Sequence, residues 1–315
     1  MRFSRGTHAS AIALMLLSAC GGGGGSSGGG GVAVPTPTPS PGSTVGSIYT
    51  APAQEALTVA EVQRIIAQAA GEAEARRLPA VIAVVDRVGN VLAVYNMNGA
   101  RNRSLISRFT ATGELNDVDE DFQGVQIDSV IAAIAKAITG AYLSSAGNAF
   151  SSRTASQIVQ ANFPPAPNSV GLESGPLYGV QFSQLPCSDL NTRFQPAGGP
   201  GASIGPKRSP VGLSADPGGF PLYKNGVLVG GIGVMADGDY AFDSNVIDLQ
   251  VDSEEAIALA GMQGFAPPDS IRAERITVDG TNLIFSDMRV EDLSPLQNNF
   301  AAINGIRGLL VAVTG

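Results

Sequence analysis

The segment from 79 to 100, PAVIAVVDRVGNVLAVYNMNGA, constrains the fold of this chain more than any other. Residues 80–85 are a short apolar run of the kind that forms a buried strand, and residues 91–95 read as a return strand. Between them, Gly89 and Asn90 suit a tight turn because both residue types tolerate positive φ. The segment therefore predicts an antiparallel hairpin.

A helix is predicted immediately before this hairpin. Thr58 and Glu61 have the spacing of a capping box, in which each side chain accepts a hydrogen bond from the backbone of the other. Apolar residues then recur on one face at helical spacing: Val62, Ile65, Ile66, Ala69 and Ala73. Pro79 ends the helix before the strand begins.

The remaining periodicity indicates a mixed helix and strand protein. Helices are predicted over 129–145, 152–161 and 253–260, the last capped by Asp252 or Ser253 and ended by Gly261. Asn225-Gly226 is a strong type I′ signal between strands at 220–224 and 227–234. A further hairpin is predicted around Asp279-Gly280, with strands at 275–278 and 283–286.

Three blocks of this sequence together resemble the GlcG/HbpS family of haem-binding or haem-degrading domains. The first is the hairpin, with Ile82-Ala83-Val84-Val85-Asp86, Gly89-Asn90, Ala93 and Met97-Asn98-Gly99-Ala100, where Asn98 replaces the usual Asp. The second is Lys136-Ala137 with Thr139, and the third is Gly218-Gly219-Phe220-Pro221 with Gly226 and Gly230-Gly231-Ile232-Gly233-Val234. The blocks follow the family order and cover residues 57–160 and 216–261, about half of the chain.

The resemblance implies an α/β (α+β) fold: a profilin-like sandwich with a mostly antiparallel sheet of about five strands and packed helices. It also implies haem as the cofactor and an oligomeric assembly. The cofactor-binding residues carried over from the three blocks and their flanks are Met97, Arg101, Lys136, Thr139, Gly219, Pro221, Gly231 and Gly233. The metal ligand stays unknown.

The residues of these blocks also have simpler explanations. Lys136 is either a propionate partner or a lysine that snorkels from a helix surface. Thr139 and Met97 are either ligand contacts or packing residues. The glycines of residues 230–233 leave a bare strand, which another backbone or a flat ligand could approach closely.

Haem would need an apolar slot, cations for its propionates and an axial ligand. Histidine is excluded as that ligand in the processed chain, because the single histidine, His8, lies in the predicted leader. The remaining candidates are Tyr95, Met97, Thr139, Tyr142 and Cys187, and the candidate cations are Arg101, Arg103, Arg108, Lys136 and Arg153. None of the candidate ligands is singled out by its spacing.

The N-terminus predicts export and lipidation. A basic start, an apolar run at 11–17 and the ending Leu17-Ser18-Ala19-Cys20 form a secretory signal that is too short to span a bilayer. This ending resembles the bacterial lipobox, which makes Cys20 the acylated first residue; the alternative is an ordinary signal peptide. Because Gly21 is not Asp, the outer membrane is favoured in a cell with two membranes, so we expect a lipid-anchored envelope or periplasmic protein.

The predicted domains are a signal peptide at 1–19, a Gly/Ser-rich then Pro/Thr-rich tether at 20–46, and a GlcG/HbpS-like domain at 47–261. An irregular insertion occupies about 163–217, and an extension with a hairpin follows at 262–315. The formal charge of −8 becomes −10 when Arg2 and Arg5 leave with the leader, which argues against nucleic acid as a partner.

Three functions are compatible with the sequence: a tethered haem-binding protein, a haem-degrading or other small-molecule enzyme, and a structural module that kept the fold without the ligand. Ser/His/Asp catalysis and Cys/His zinc sites are excluded for a chain without histidine. No residue pair resembles a general acid and base, which favours a non-catalytic role. The acidic residues at 237–243 are interpreted as a solvated loop rather than a calcium site, and Cys187 as buried or available for an intermolecular bridge.

Overall fold

The computed structural model describes residues 53–106, 124–168, 177, 180, 206–243 and 245–313. The helices in these ranges are α1 (Val59–Ala75), α2 (Ser129–Tyr142), α3 (Ser152–Val159) and α4 (Ser253–Met262). The predicted leader and tether, with Cys20, as well as Arg108, Cys187 and most of the insertion, lie outside the described residues.

Five strands form one antiparallel sheet in the order β10–β2–β1–β6–β5. These strands are β1 (Val81–Asp86), β2 (Val91–Met97), β5 (Gly219–Lys224), β6 (Val227–Met235) and β10 (Gly308–Leu310). The predicted α+β class and antiparallel sheet of about five strands are confirmed. Shorter strands form two further sheets: β3 (Arg103–Ile106), β4 (Gln126–Asp128) and β7 (Asp239–Tyr240) in one, β8 (Thr277–Val278) and β9 (Thr281–Asn282) in the other.

Local sequence signals explain where the first elements begin. The Thr58 hydroxyl accepts from the Glu61 N–H at 3.2 Å, and the Glu61 carboxylate accepts from the Thr58 N–H at 2.7 Å, so the predicted capping box of α1 is confirmed. In the β1–β2 turn, Asp86 Oδ1 accepts from the N–H groups of Val88 and Asn90, both at 2.9 Å. Gly89 takes the positive φ of this turn, at 82°.

The two other predicted hairpins are also present. Asn225 and Gly226 have φ values of 51° and 78°, as a type I′ turn requires. Asp279 and Gly280 have φ values of 48° and 79°, but each flanking strand is only two residues long, and the second lies at Thr281–Asn282 rather than at the predicted 283–286.

The central strand β1 is buried on both faces, so its side chains divide between two apolar layers. Ile82 and Val84 pack with α1 and α4 on one face of the sheet. Val81, Ala83 and Val85 pack with α2 on the other face. The molecule is thus a sandwich in which the sheet lies between α2 and the α1–α4 pair.

The C-terminal extension is part of this core rather than an addition outside it. Its strand β10 pairs with β2, and the Tyr95 hydroxyl donates to the Ile303 carbonyl at 2.8 Å. Further extension residues are buried in the α1–α4 layer: Leu283, Phe285, Met288 and Ile303.

The predicted end of α4 is wrong by two residues, because Gly261 lies inside the helix. A Cβ at this position would lie 2.3 Å from Cδ1 of Ile232 and 3.2 Å from Cβ of Ala69. Gly261 therefore allows α4 to approach the sheet and α1 closely, and the helix continues to Met262.

Candidate functional site

Two of the three family-like blocks meet where α2 crosses β5 and β6. A Cβ on Gly231 would lie 2.1 Å from the Ala137 carbonyl oxygen, and one on Gly233 would lie 2.2 Å from that of Ala133. A Cβ on Gly219 would lie 2.4 Å from the Lys136 carbonyl oxygen. The sequence predicted that either another backbone or a flat ligand approaches this glycine-rich strand. The structure shows that the backbone of α2 does so.

Lys136 is fully buried, so the prediction of a snorkelling surface lysine is wrong. Its ammonium lies 2.7 Å from Oδ2 of Asp216 and donates to the Pro217 carbonyl at 2.8 Å. It also donates to Oε2 of Glu254. Because both carboxylates are buried as well, a single cation here is shared by two potential anions.

Burial sets the ionisation of this Lys136 cluster, which we define as Lys136, Asp216 and Glu254. Burial would lower the pKa of Lys136, but the nearby charges of Asp216 and Glu254 raise it above its ordinary value. Burial raises the pKa of Glu254 to about 8 against the opposing effect of Lys136, and it also raises the pKa of Asp216. The cluster therefore retains a proton near neutral pH, shared between its two carboxyl groups.

Thr139 has its hydrogen bonds satisfied within the protein. Its hydroxyl donates to the Ala135 carbonyl at 2.8 Å and accepts from the Ser214 N–H at 2.6 Å. Because Ser214, Asp216 and Pro217 belong to the last residues of the insertion, that segment lies directly on the Lys136 and Thr139 side chains.

A second buried cation, Arg153, forms the Arg153 cluster with four carboxylates. Glu255 is bidentate, with both nitrogen–oxygen distances at 3.2 Å, and Asp287 lies at 3.1 Å. Asp243 pairs with the same guanidinium, and Asp252 lies at 3.9 Å. Burial raises the pKa of Glu255 to about 7, because the compensating charge of Arg153 is shared among several acids.

Both clusters depend on the first turn of α4. Glu254 faces Lys136 of α2, and its neighbour Glu255 faces Arg153 of α3. Sequence reasoning missed these two glutamates. The available signal was the rest of α4, which is apolar on every side and therefore buried, so any charge within it needs a partner.

The other predicted site residues are distributed over different parts of the fold. Met97 ends β2 and is 5% exposed, whereas Arg101 is exposed and lies against Gly238. Pro221 pairs with Gly231 in the sheet beneath α2. The structure thus brings Lys136, Thr139, Gly219, Pro221, Gly231 and Gly233 together around α2, whereas Met97 packs in the α1–α4 layer.

Three other predictions concern the candidate ligands and the acidic loop. The Tyr95 and Tyr142 hydroxyls donate to backbone carbonyls, those of Ile303 and of Val88 and Lys207 respectively. The interpretation of residues 237–243 as solvated is wrong for Asp243, which is 9% exposed and pairs with Arg153.

Met97 lies in a cleft of about 390 Å³, which we call the basic cleft. It is formed by the end of α1, the segment leading to β1, the end of β2 and the C-terminal extension. Its lining residues are Ala73, Glu74, Arg77, Leu78, Pro79, Met97, Asn98, Ile306 and Arg307. Two arginines against one glutamate make it positively charged.

Two properties of the described residues limit the kinds of site present. In these ranges no helix is long and apolar enough to cross a bilayer. Within the same ranges, no group of three or more His, Cys, Asp or Glu residues is arranged to hold a metal ion.

A family model for haem-degrading, HbpS-like proteins matches residues 57–107, which comprise α1 and the β1–β2–β3 segment. The family resemblance predicted from the sequence is confirmed over these residues. No curated protein matches the chain significantly.

Solved structures with a similar arrangement include the PduOC–haem complex, at 18% identity and a TM-score of 0.37, covering 67% of this chain and 96% of that one. A Klebsiella pneumoniae protein, ORFY, matches at 18% identity and a TM-score of 0.35, covering 69% and 96%. HbpS matches at 18% identity and a TM-score of 0.34, covering 69% and 94%.

Proposed function

We propose that this protein binds haem, and that the basic cleft holds it. The observation that carries the proposal is the position of this cleft: most of its wall lies inside residues 57–107, which match the haem-degrading, HbpS-like family model. Haem supplies a redox-active iron when bound, and the residues of this chain would bind and orient it.

The residues of the basic cleft fit the chemistry of a haem. Leu78, Pro79 and the exposed Ile306 offer apolar contacts for the macrocycle. Arg77 offers a cation for one propionate, and Arg307, which already pairs with Glu74 of the same cleft, would share its charge with the other. The volume of about 390 Å³ lies within the roughly 300–1,000 Å³ that is typical of ligand sites.

The environment of Lys136 fits a haem less well. The backbone of α2 fills the slot over Gly231 and Gly233, and the charge of Lys136 is already shared by two carboxylates. A propionate there would add a third buried anion, which is costly without a further cation. The sequence-based assignment of Lys136 and Thr139 to the cofactor stays a prediction that the same titration can test.

The test is a hemin titration followed by the Soret band, using residues 20–315 with Cys20→Ser, so that both the acylation site and His8 of the leader are absent. Arg77→Ala and Arg307→Ala should each weaken binding about tenfold, since a hydrogen bond to a charged group contributes roughly 1.5–3 kcal/mol and these sites are partly screened. Arg289→Ala is the matched control, because this arginine is 72% exposed and outside the cleft. The spectrum should lack the signature of bis-histidine or His/Met ligation.

Each outcome has a distinct meaning. Unchanged affinity in both cleft variants would reject the basic cleft as the site, and loss of binding on Lys136→Ala alone would favour the α2 assignment. The absence of saturable hemin binding to the parent protein would reject the haem-binding function.

We further propose that the protein is an exported lipoprotein held at the cell envelope through Cys20. The support is the Leu17-Ser18-Ala19-Cys20 ending, which is followed by the Gly/Ser-rich and then Pro/Thr-rich tether. Cys20→Ser should move the protein from the membrane fraction to the soluble fraction, because a multiply acylated cysteine anchors firmly. An unchanged distribution would contradict the proposal.

A further inference from the structure

A second cleft of about 440 Å³ lies beside the Arg153 cluster, and we call it the acidic cleft. It is formed by the loop before α4, the single-turn helices near Arg272, and the segment that includes β9. Its lining residues are Gln157, Pro165, Val246, Ile247, Asp248, Leu249, Arg272, Glu274 and residues 281–287. The cleft is separate from the basic cleft and shares no residue with it.

The wall of the acidic cleft contains unsatisfied polar atoms. Among the described residues, Nε of Arg272, Oε2 of Glu274 and Oδ1 of Asp287 are buried without a hydrogen-bond partner, and all three residues line this cleft. Buried polar groups in folded proteins are normally paired with protein, water or a ligand. Nε of Arg272 and Oε2 of Glu274 belong to one ion pair, whose other two atoms lie 2.7 Å apart, so Oδ1 of Asp287 is the independent atom, and its missing partner is a hydrogen-bond donor.

The charge around Asp287 points to a cationic donor. The Asp287 side chain is only 2% exposed, and it is one of four carboxylates around the single guanidinium of Arg153. Asp248 and Glu274 add further negative charge to the cleft, whose one lining cation, among the residues described, is Arg272. Arg272 is itself paired with Glu274 at 2.7 Å.

The rest of the wall is apolar. Ile247 and Leu249 are 47% and 83% exposed, so one side of the cleft presents apolar surface to water. Phe285 also lines the cleft, but it is only 2% exposed and the Arg272 guanidinium lies 4.8 Å from its ring centroid. A ligand that covers Ile247 and Leu249 would gain from removing apolar surface from water.

We propose that the acidic cleft binds a small organic cation that carries a primary ammonium on an apolar body. The ammonium donates to the orphaned oxygen of Asp287 and offsets the excess negative charge around Arg153, while the body packs on Ile247 and Leu249. The same charges exclude carboxylates such as haem propionates, so this site differs in specificity from the basic cleft. The proposal does not depend on haem binding.

The test is isothermal titration calorimetry of the full chain with three probes of nearly equal size: 2-phenylethylamine, 2-phenylethanol and phenylacetate. The amine should bind saturably, the alcohol should bind at least about tenfold more weakly, and the acid should not bind. The reason is that the probes differ mainly in the charge they present to Asp287 and Glu274.

Variants then locate the site. Asp287→Asn should weaken amine binding about tenfold or more, and Glu274→Gln should weaken it severalfold. Glu291→Gln is the matched control, because this glutamate is 70% exposed and does not line the cleft. Glu274 is itself 36% exposed, so its variant keeps the experiment informative if Asp287→Asn fails to fold.

Equal affinities for the amine and the alcohol would overturn the proposal, because charge would then not be recognised. The absence of saturable amine binding at millimolar concentration would overturn it as well. If Glu274→Gln and Asp287→Asn both bind the amine as tightly as the parent does, the amine binds elsewhere, and the assignment to the acidic cleft is overturned.

Discussion

At the scale of single residues, Asn98 differs from the Asp of the family-like pattern, and it forms hydrogen bonds with the C-terminal extension. Its Nδ2 donates to the Ile306 carbonyl at 3.0 Å, and its backbone N–H donates to the Arg307 carbonyl at 2.8 Å. The Asp that usually occupies this position would present an acceptor to the Ile306 carbonyl. An amide side chain here is therefore explained by the C-terminal extension that packs against it.

We expect Asn98→Asp to lower the free energy of unfolding by about 1 kcal/mol, the net value of a typical hydrogen bond. The new carboxylate also faces a carbonyl oxygen. Urea denaturation measures the change, and Asn299→Asp is the control because this asparagine is exposed and its side chain is not part of the Asn98–Ile306 contact. Equal losses in both variants would show that the Asn98 side chain does not hold the extension.

Sequence reasoning succeeded for residues whose conformation is dictated locally. Thr58 and Gly226 were identified because capping and positive φ depend on a few adjacent residues. It failed for Lys136, because the carboxylates that allow its burial lie about 80 and 118 positions away in the chain. Partners at that separation leave no local pattern.

At the scale of elements, glycines of the family-like motifs form the contact between α2 and the sheet. Gly219, Gly231 and Gly233 lie under the helix backbone, and Gly140 of α2 lies over Phe220 at a comparable distance. Glycine on both sides removes the layer of side chains that normally separates a helix from a sheet. The motif glycines therefore have a structural role that does not need a ligand.

Gly231→Ala should destabilise the protein by about 3 kcal/mol, because its Cβ would overlap the Ala137 carbonyl at 2.1 Å and both neighbours are backbone. Gly147→Ala is the matched control, since nothing lies within 4 Å of its Cβ. Thermal or urea denaturation of the two variants checks the difference. A Gly231→Ala variant as stable as Gly147→Ala would mean that α2 sits farther from the sheet.

Gly226→Val tests a different property of glycine, its freedom to take positive φ. This residue has φ of 78° and open space around its Cβ, so the expected cost of about 1–3 kcal/mol comes from backbone strain alone. Gly226→Ala should cost less than Gly226→Val, because the β-branched side chain is the more restricted. Equal melting temperatures for the parent and the Val variant would contradict the type I′ turn.

The kinds of element were largely predictable and their partners were not. Periodicity and turn residues indicated α1, α2 and the β1–β2 and β5–β6 hairpins, because these signals are local. The pairing of β10 with β2 joins residues more than 200 positions apart, and the extension had been predicted to lie beyond the family-like domain. The second cation cluster was likewise invisible, since its four carboxylates come from three separated segments.

At the scale of the whole molecule, the two cations Lys136 and Arg153 of the described residues are buried among more carboxyl groups than they can neutralise. Lys136 and Arg153 between them face six carboxyl groups, and α4 connects the two clusters through Glu254 and Glu255. Such buried networks stabilise a fold only when the charges are matched, and these are matched only if some of the carboxyl groups keep a proton. Folding must therefore be coupled to proton binding.

This coupling gives the protein a stability that falls as pH rises. Glu254 has a pKa of about 8 in the folded state against 4.5 for an ordinary glutamate, so the folded protein holds a proton that the unfolded chain releases between these values. The contribution is fully present below the unfolded pKa and is lost as pH rises through the folded one. The free energy of unfolding should therefore decrease from pH 5 to pH 8 by more than about 1 kcal/mol, which corresponds to one pKa unit.

Glu254→Gln isolates this effect, because the amide resembles the protonated acid and cannot ionise. Oε1 of Glu254 accepts from the Ala236 and Asp237 N–H groups, so the amide of the variant must turn its NH2 towards Lys136 and should already cost stability at pH 5. From pH 5 to pH 8 the parent should lose more stability than the variant, because only the parent must bury a second carboxylate beside Lys136. Glu291→Gln, at an exposed glutamate, should leave the pH dependence of the parent unchanged. Urea denaturation at both pH values measures the three proteins, and parallel pH profiles for the parent and Glu254→Gln would show that Glu254 is already ionised at pH 5, as an ordinary salt bridge to Lys136 would require.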